Sequence, residues 1–226
     1  MPEPVVPSVG WGVLHLFCHP TPSLDGEAVV AAVKRARDDG DQVVTVSLLG
    51  HKADIGFMAL AQDLWRLRRL QSELTAAGLA VAASYVSLTE LSEYAEGVRD
   101  ELKEARLHPQ LPPEGKPAWC FYPMSKRRGE GENWFRLPFE QRKELMYDHG
   151  KSGRRFAGRV LQVVTGSTGL DDHEWGVTLF AGTPDDLKEV VYTMRFDEAS
   201  AIYAEFGPFW TGMVATVEDA VGALAP

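Results

Sequence analysis

The chain has 226 residues, 45% of them apolar and 24% charged, and a formal net charge of −9. That length buries a full core as one large domain or two of about 110 residues, and the acidic balance argues against a nucleic-acid binder, which would present a basic face to phosphate. No run of ~18 apolar residues is present to span a membrane.

The opening MPEPVVPSVG has neither the basic nor the apolar region of a signal peptide. Cys18 and Cys120 each sit in an apolar, strand-like run. They read as reduced core thiols, and a cytoplasmic location is expected.

Trp11 to Cys18 is short, aromatic and partly β-branched, and predicts a strand with Trp11, Val13, His15 and Phe17 on one face. Ser23 and Asp25 open a helix over 26–38, which Asp39 and Gly40 stop. Two strands follow, Val43 to Gly50 and Ile55 to Leu60, joined by the turn-like His51 to Asp54. Leu64, Leu67, Leu70 and Leu74 mark an amphipathic helix over 62–77 that Gly78 ends, and Val81 to Leu88 predicts another strand. A polar, helix-like run from Glu96 to Arg106 leads into HPQLPPEGKP, whose prolines bar regular structure.

After that linker the order repeats. Strands are predicted at Ala118 to Pro123, Arg159 to Gly166, His173 to Ala181 and Phe206 to Val214. Helices are predicted at Pro138 to Lys151 and Pro184 to Met194, with a short one from Val217. Two βαββαβ units in tandem give an α+β fold of two ferredoxin-like halves, residues 1–107 and 118–226, joined by a Pro-rich linker over 108–117.

Between Lys126 and Arg159 lie ten cations and five acids, a local +5 in a chain that sums to −14 elsewhere. Such a reversal points to a small anionic ligand. Around it stand residues with two readings each. Gln162 shares a strand face with Val160 and Val164, where a buried amide needs a partner, in a neighbouring loop or in a ligand. His149 shares a helix face with Leu145 and Met146 and reads as a cap, a core residue or a ligand. Tyr122 points with Cys120 and Met124 away from Trp119 and Phe121, either as a sheet-edge phenol or as a redox-active one. Phosphate-loop, GxSxG and HExxH signatures are absent.

The segments CFYPMSKRRGEGENWFRLPFEQRKELMYDHGKSGR, QVVTGSTGLDDHEWGVTLF and VVYTMRFDEASAIYAEFGPFWTG resemble the chlorite dismutase family, and more narrowly its coproheme decarboxylase branch. In the first half only GHKAD, the run from Ser84 to Tyr94 and ARLHP echo it. The resemblance implies ferredoxin-like repeats forming a β-barrel of the dimeric α+β type, assembled as a homopentamer. Porphyrin would lie in the carboxy-terminal half only.

It further implies that His149 ligates iron, with Glu198 as the carboxylate behind it, that Tyr122 is the radical oxidant, and that Lys126 stands near the propionate that reacts second. Met124 and Ser125 belong to the same YPMSK run at the cofactor. Arg106, Tyr94, Arg154, Arg195 and Ser200 match propionate-holding positions, and Trp134 matches a pocket-side tryptophan without an assigned role.

Gln162 stands where chlorite-degrading members have arginine. The implied reaction is the peroxide-dependent decarboxylation of iron coproporphyrin III, at once substrate and cofactor, to haem b. Chlorite dismutation and a non-catalytic haem-binding barrel are the alternatives. Implied partners are hydrogen peroxide and, transiently, a coproporphyrin ferrochelatase, with neither nucleic acid nor membrane.

Overall fold

A computed structural model describes residues 2–95 and 97–224. The first half runs β1 (Gly12–Pro20), α1 (Gly26–Asp38), β2 (Gln42–Leu48), β3 (Ile55–Ala61), α2 (Leu64–Ala76), β4 (Leu79–Thr89) and α3 (Asp100–Leu107). The second runs β5 (Ala118–Lys126), a single 3-10 turn (Trp134–Arg136), α4 (Phe139–Arg154), β6 (Val160–Gly166), β7 (Trp175–Ala181), α5 (Pro184–Met194), α6 (Glu198–Ala201), β8 (Ala204–Phe206), β9 (Trp210–Ala215) and α7 (Val217–Gly222).

The helices predicted over 26–38 and 184–194 appear at those bounds, because local caps set them. Asp25 accepts from the Ala28 amide at 3.0 Å, and Thr183 caps α5 ahead of Pro184. Gly78 ends α2 with φ +91°, and a Cβ there would lie 2.7 Å from Leu24 Cα, so both the dihedral and the close approach require glycine.

Three expectations need correction. The strand expected over 206–214 is two strands, β8 and β9, both antiparallel to β5 and separated by residues 207–209, where Pro208 cannot donate to a ladder. The short helix α6 was not foreseen. The polar run over 96–106 becomes helical only from Asp100; Glu96 lies outside the described residues.

All the strand pairings are antiparallel. In the first half the order is β4-β1-β3-β2, and in the second β9-β5-β7-β6. The halves join through β2–β9 and β4–β6, so the hydrogen-bonded order returns to its starting strand. Inward residues of both halves, among them Phe17, Met58, Tyr85, Trp119, Phe121 and Phe180, pack into one core. His15 lies fully buried there, its Nε2 3.0 Å from Thr178 Oγ1 on β7. Desolvation pulls its pKa down to about 3, so the ring is neutral.

Outside this ring, α1, α2 and α7 cover the first half's strands with a second core built on Val29, Val33, Leu70 and Leu74. On the second half α5 covers one end of the β5–β7–β6 face through Leu187 and Val190. Helix α4 behaves differently. None of its sixteen residues is buried, and it rests on α5 and α6 instead of on the strands. The other end of that sheet face is therefore left without a helix against it.

Candidate functional site

The outer face of β5, β7 and β6 is ordered by register. Tyr122 pairs with Val177, which pairs with Val164; in the next row stand Cys120, Leu179 and Gln162. Tyr122 is buried, its ring stacked on Phe209 at 4.5 Å and met edge-on by Phe206 at 5.5 Å. Burial, and then the neighbouring Cys120, push its pKa well above the ordinary phenol value, so the hydroxyl keeps its proton. Among the described residues no side chain bonds that hydroxyl.

The same desolvation raises the Cys120 thiol to about 11, against the opposing pull of Thr211 and Lys52. Gln162 corrects one expectation. It is exposed, beside Val164 at 42% exposure, so no buried amide demands a protein partner.

His149 lies on the half-buried stripe of α4 with Arg142, Leu145, Met146 and Gly153, which recur at helical spacing. Its Nδ1 stands 3.0 Å from Asp197 Oδ2 and 3.3 Å from Ser200 Oγ, and no hydrogen bond engages Nε2 among the described residues. The carboxylate behind the imidazole is thus Asp197, not Glu198, which begins α6 one residue later. Asp197 Oδ1 also caps α6 by accepting from the Ser200 amide at 3.0 Å. Burial alone would raise the Asp197 pKa, but the bond and charge of His149, together with Ser200, bring it below the usual carboxylate value.

Lys126 lies on the Tyr122 face of β5, with its side chain buried beneath Trp134, 4.4 Å from the ring centre, and donating to the Ala199 carbonyl at 2.6 Å. Its ammonium is committed to α6 and not turned outward. Desolvation lowers its pKa to about 8 in spite of Asp197 and Glu174. Trp134, which carried no role, is the lid on this ammonium. Ser125 alternates to the opposite face and stands at 3.3 Å from the Glu174 amide, so it does not join the Tyr122 face.

Arg154 lies over Tyr147 at 5.6 Å near the end of α4, and Arg195 over Tyr192 and Phe196 at 4.2 and 5.0 Å just past α5. Tyr94 reaches α4, its hydroxyl accepting from Arg142 Nε at 3.0 Å. Arg106 stands exposed on α3, and no hydrogen bond or ion pair joins it to the other candidates among the described residues. Sequence reasoning passed over Asp197, Arg142 and Phe209. Of these, Asp197 alone carried a local signal: Asp-x-x-Ser is a capping pattern.

Among the described residues no three His, Cys, Asp or Glu side chains cluster to hold a metal, and no helix is long and apolar enough to cross a membrane. A single imidazole with one free nitrogen suits iron whose remaining ligands come from a macrocycle.

Residues 25–215 match the chlorite dismutase family. A coproheme decarboxylase of Staphylococcus carnosus is 42% identical over 91% of this chain and 92% of its own. A protein of Natronomonas pharaonis named as a putative haem-binding protein is 40% identical over 90% of this chain, which spans only 39% of that longer relative. Among solved structures, a haem-binding protein from Thermus thermophilus superimposes with a TM-score of 0.84 at 37% identity, covering 99% of this chain and 98% of that one. A mutant chlorite dismutase from Candidatus Nitrospira defluvii gives 0.77 at 19% identity over 97% and 98%, a likeness of fold.

Proposed function

The chain belongs to the chlorite dismutase family, and from that premise we propose that it is a coproheme decarboxylase, an enzyme that converts iron coproporphyrin III and hydrogen peroxide to haem b by removing two propionate carboxyls. The repeated strand order supports reading the fold as two ferredoxin-like halves closing a β-barrel, with porphyrin on the second half. A cytoplasmic homopentamer that receives coproheme from a ferrochelatase goes with this reading on the family resemblance.

The observation that carries it is the arrangement around α4. The helix presents an imidazole backed by a carboxylate, while the sheet face beside it carries an exposed neutral amide, Gln162, and the neutral phenol of Tyr122, buried against Phe206 and Phe209. A flat macrocycle between helix and sheet would meet His149 on one side and Gln162 on the other.

The iron, with peroxide, supplies the oxidising equivalents when the porphyrin is bound. The residues do the rest. Asp197 accepts from Nδ1, fixing the tautomer so that Nε2 is the basic, iron-facing nitrogen. Lys126, through Ala199, and Ser200 hold α6 and with it that carboxylate. Tyr122 would pass its phenolic proton and one electron to the oxidant that peroxide supplies and regain a hydrogen atom from the β-carbon of a propionate; the second electron of that carbon goes to the same oxidant as carbon dioxide leaves, so each vinyl group formed consumes one peroxide, reduced to two waters. Its buried hydroxyl carries one proton for that exchange, undisturbed by a competing protein acceptor. Arg154 and Arg195, exposed and flanking α4, are suited to the propionates that are kept.

Gln162 bears on the alternative. Without a cation at that position, an oxyanion formed from chlorite has no positive partner, and oxygen release should be slow. The test is an absorbance titration with iron coproporphyrin III followed by peroxide, beside a chlorite assay in an oxygen electrode. A shifted Soret band and porphyrin conversion support the decarboxylase. Rapid oxygen evolution from chlorite would replace it with chlorite dismutation, and binding without conversion would leave a haem carrier.

A further inference from the structure

The turn between β2 and β3, part of the GHKAD sequence, takes no role in the chemistry above, yet it reaches the segment that packs on Tyr122. Lys52 Nζ donates to the Phe209 carbonyl at 2.6 Å and lies 5.7 Å from the centre of the Trp210 ring. Next to this contact the Leu49 amide bonds the Thr211 carbonyl at 2.9 Å. The segment so held lies between β8 and β9, and its other end is fixed to β5 by the Gly207 amide on the Pro123 carbonyl at 2.8 Å. Phe209, whose carbonyl Lys52 holds, is the ring stacked on Tyr122 at 4.5 Å and 23°.

We infer that Lys52 is a positioning residue for Tyr122: the first half of the chain, through one ammonium on one carbonyl, sets the aromatic wall that holds the phenol. This rests on the reading of Tyr122 as the reacting group, but the link between Lys52 and the ring is a property of the protein without porphyrin and is testable there. Residues 207–209 lie outside the ladders that β8 and β9 make with β5, so the place of this segment depends on the contacts at its two ends. Removing one of them raises the population in which Phe209 swings away and Tyr122 meets solvent.

The experiment is nitration of the porphyrin-free protein by tetranitromethane, with peptide mapping of each tyrosine. Tyr147 and Tyr192, 65% and 54% exposed, serve as internal references against Tyr122 at 7%. In Lys52→Met the nitration rate of Tyr122 relative to those two should rise about tenfold, the low end of the population change that loss of a hydrogen bond to a charged group supports, and Lys52→Arg, which keeps a donor, should restore the original ratio. A Tyr122 ratio in Lys52→Met within about twofold of the unsubstituted protein, below what the loss of a bond to a charged group produces, contradicts the inference. So does a parallel rise at buried Tyr85 and Tyr203, which marks general loosening. Coproheme turnover that survives Tyr122→Phe would overturn the decarboxylation mechanism while leaving this nitration result as it stands.

Discussion

His149 and Asp197 meet at 3.0 Å between Nδ1 and Oδ2, across the contact between α4 and the start of α6. The pair joins the imidazole on α4 to the cap of α6, so one carboxylate both orients an imidazole and starts a helix. Asp197→Asn keeps a capping oxygen and removes the charge. We expect iron coproporphyrin affinity to fall about tenfold to a hundredfold, with little change in the unfolding midpoint of the porphyrin-free protein. Asp197→Ala should lose the affinity and in addition about 1 kcal/mol from the cap. Titration and denaturant unfolding of both variants check this, and an affinity in Asp197→Asn equal to the parent's would remove the carboxylate from the account.

Lys126 gives a pH signature. Its folded pKa of about 8 lies below the ordinary 10.5, because burial penalises the charge. Between these values the unfolded chain binds more protons than the folded one, so this group's contribution makes stability rise with pH through that window. Cys18, Cys120 and Tyr85, whose pKa values burial raises, push in the opposite sense, so the comparison must be a difference between two proteins. The stability of the parent relative to Lys126→Met should increase by about 1.4 kcal/mol per pH unit from about 8 upward. Urea unfolding at pH 7.5, 8.5 and 9.5 reads it, and a flat difference would mean that the ammonium is solvated.

His15 gives the acid counterpart. Its folded pKa of about 3 against 6.5 means that the unfolded chain takes up a proton first as pH falls, so stability is lost from about 6.5 downward. His15→Phe loses the Thr178 contact but has no proton to bind. Relative to the parent it should gain about 1.4 kcal/mol per unit below pH 6. Unfolding curves at pH 4.5, 5.5 and 6.5 compare the two, and parallel loss in both would place the acid sensitivity elsewhere.

How far the sequence carried depends on how local each signal is. The helices at 26–38 and 184–194 were legible because the signals that start them, Asp25 ahead of one and Pro184 in the first turn of the other, are local to each, and the strand face of Tyr122 followed from alternation alone. The split between β8 and β9 had a local signal in Gly207-Pro208 that the apolar run around it masked, and the close approach of Gly207 to His173 and Pro123 adds a contact from another part of the chain. Asp197 and Glu198 are adjacent and both acidic, and only the approach of α4 decides which meets His149. Lys126 is in a basic triplet that reads as solvated; its burial is imposed by Trp134 and α6. Gln162 sits in an apolar strand that reads as buried, and is exposed because α4 stands away from that end of the sheet.

In the proposed reaction the Tyr122 phenol, and no other group, carries the oxidation to the propionates. The most direct measurement is mass spectrometry of the porphyrin after peroxide is added to coproheme-loaded protein, in the parent and in Tyr122→Phe. A three-propionate intermediate and then haem b are expected in the parent, and unchanged coproheme in the variant at equal loading. Haem b formed by Tyr122→Phe at the parent's rate would contradict it.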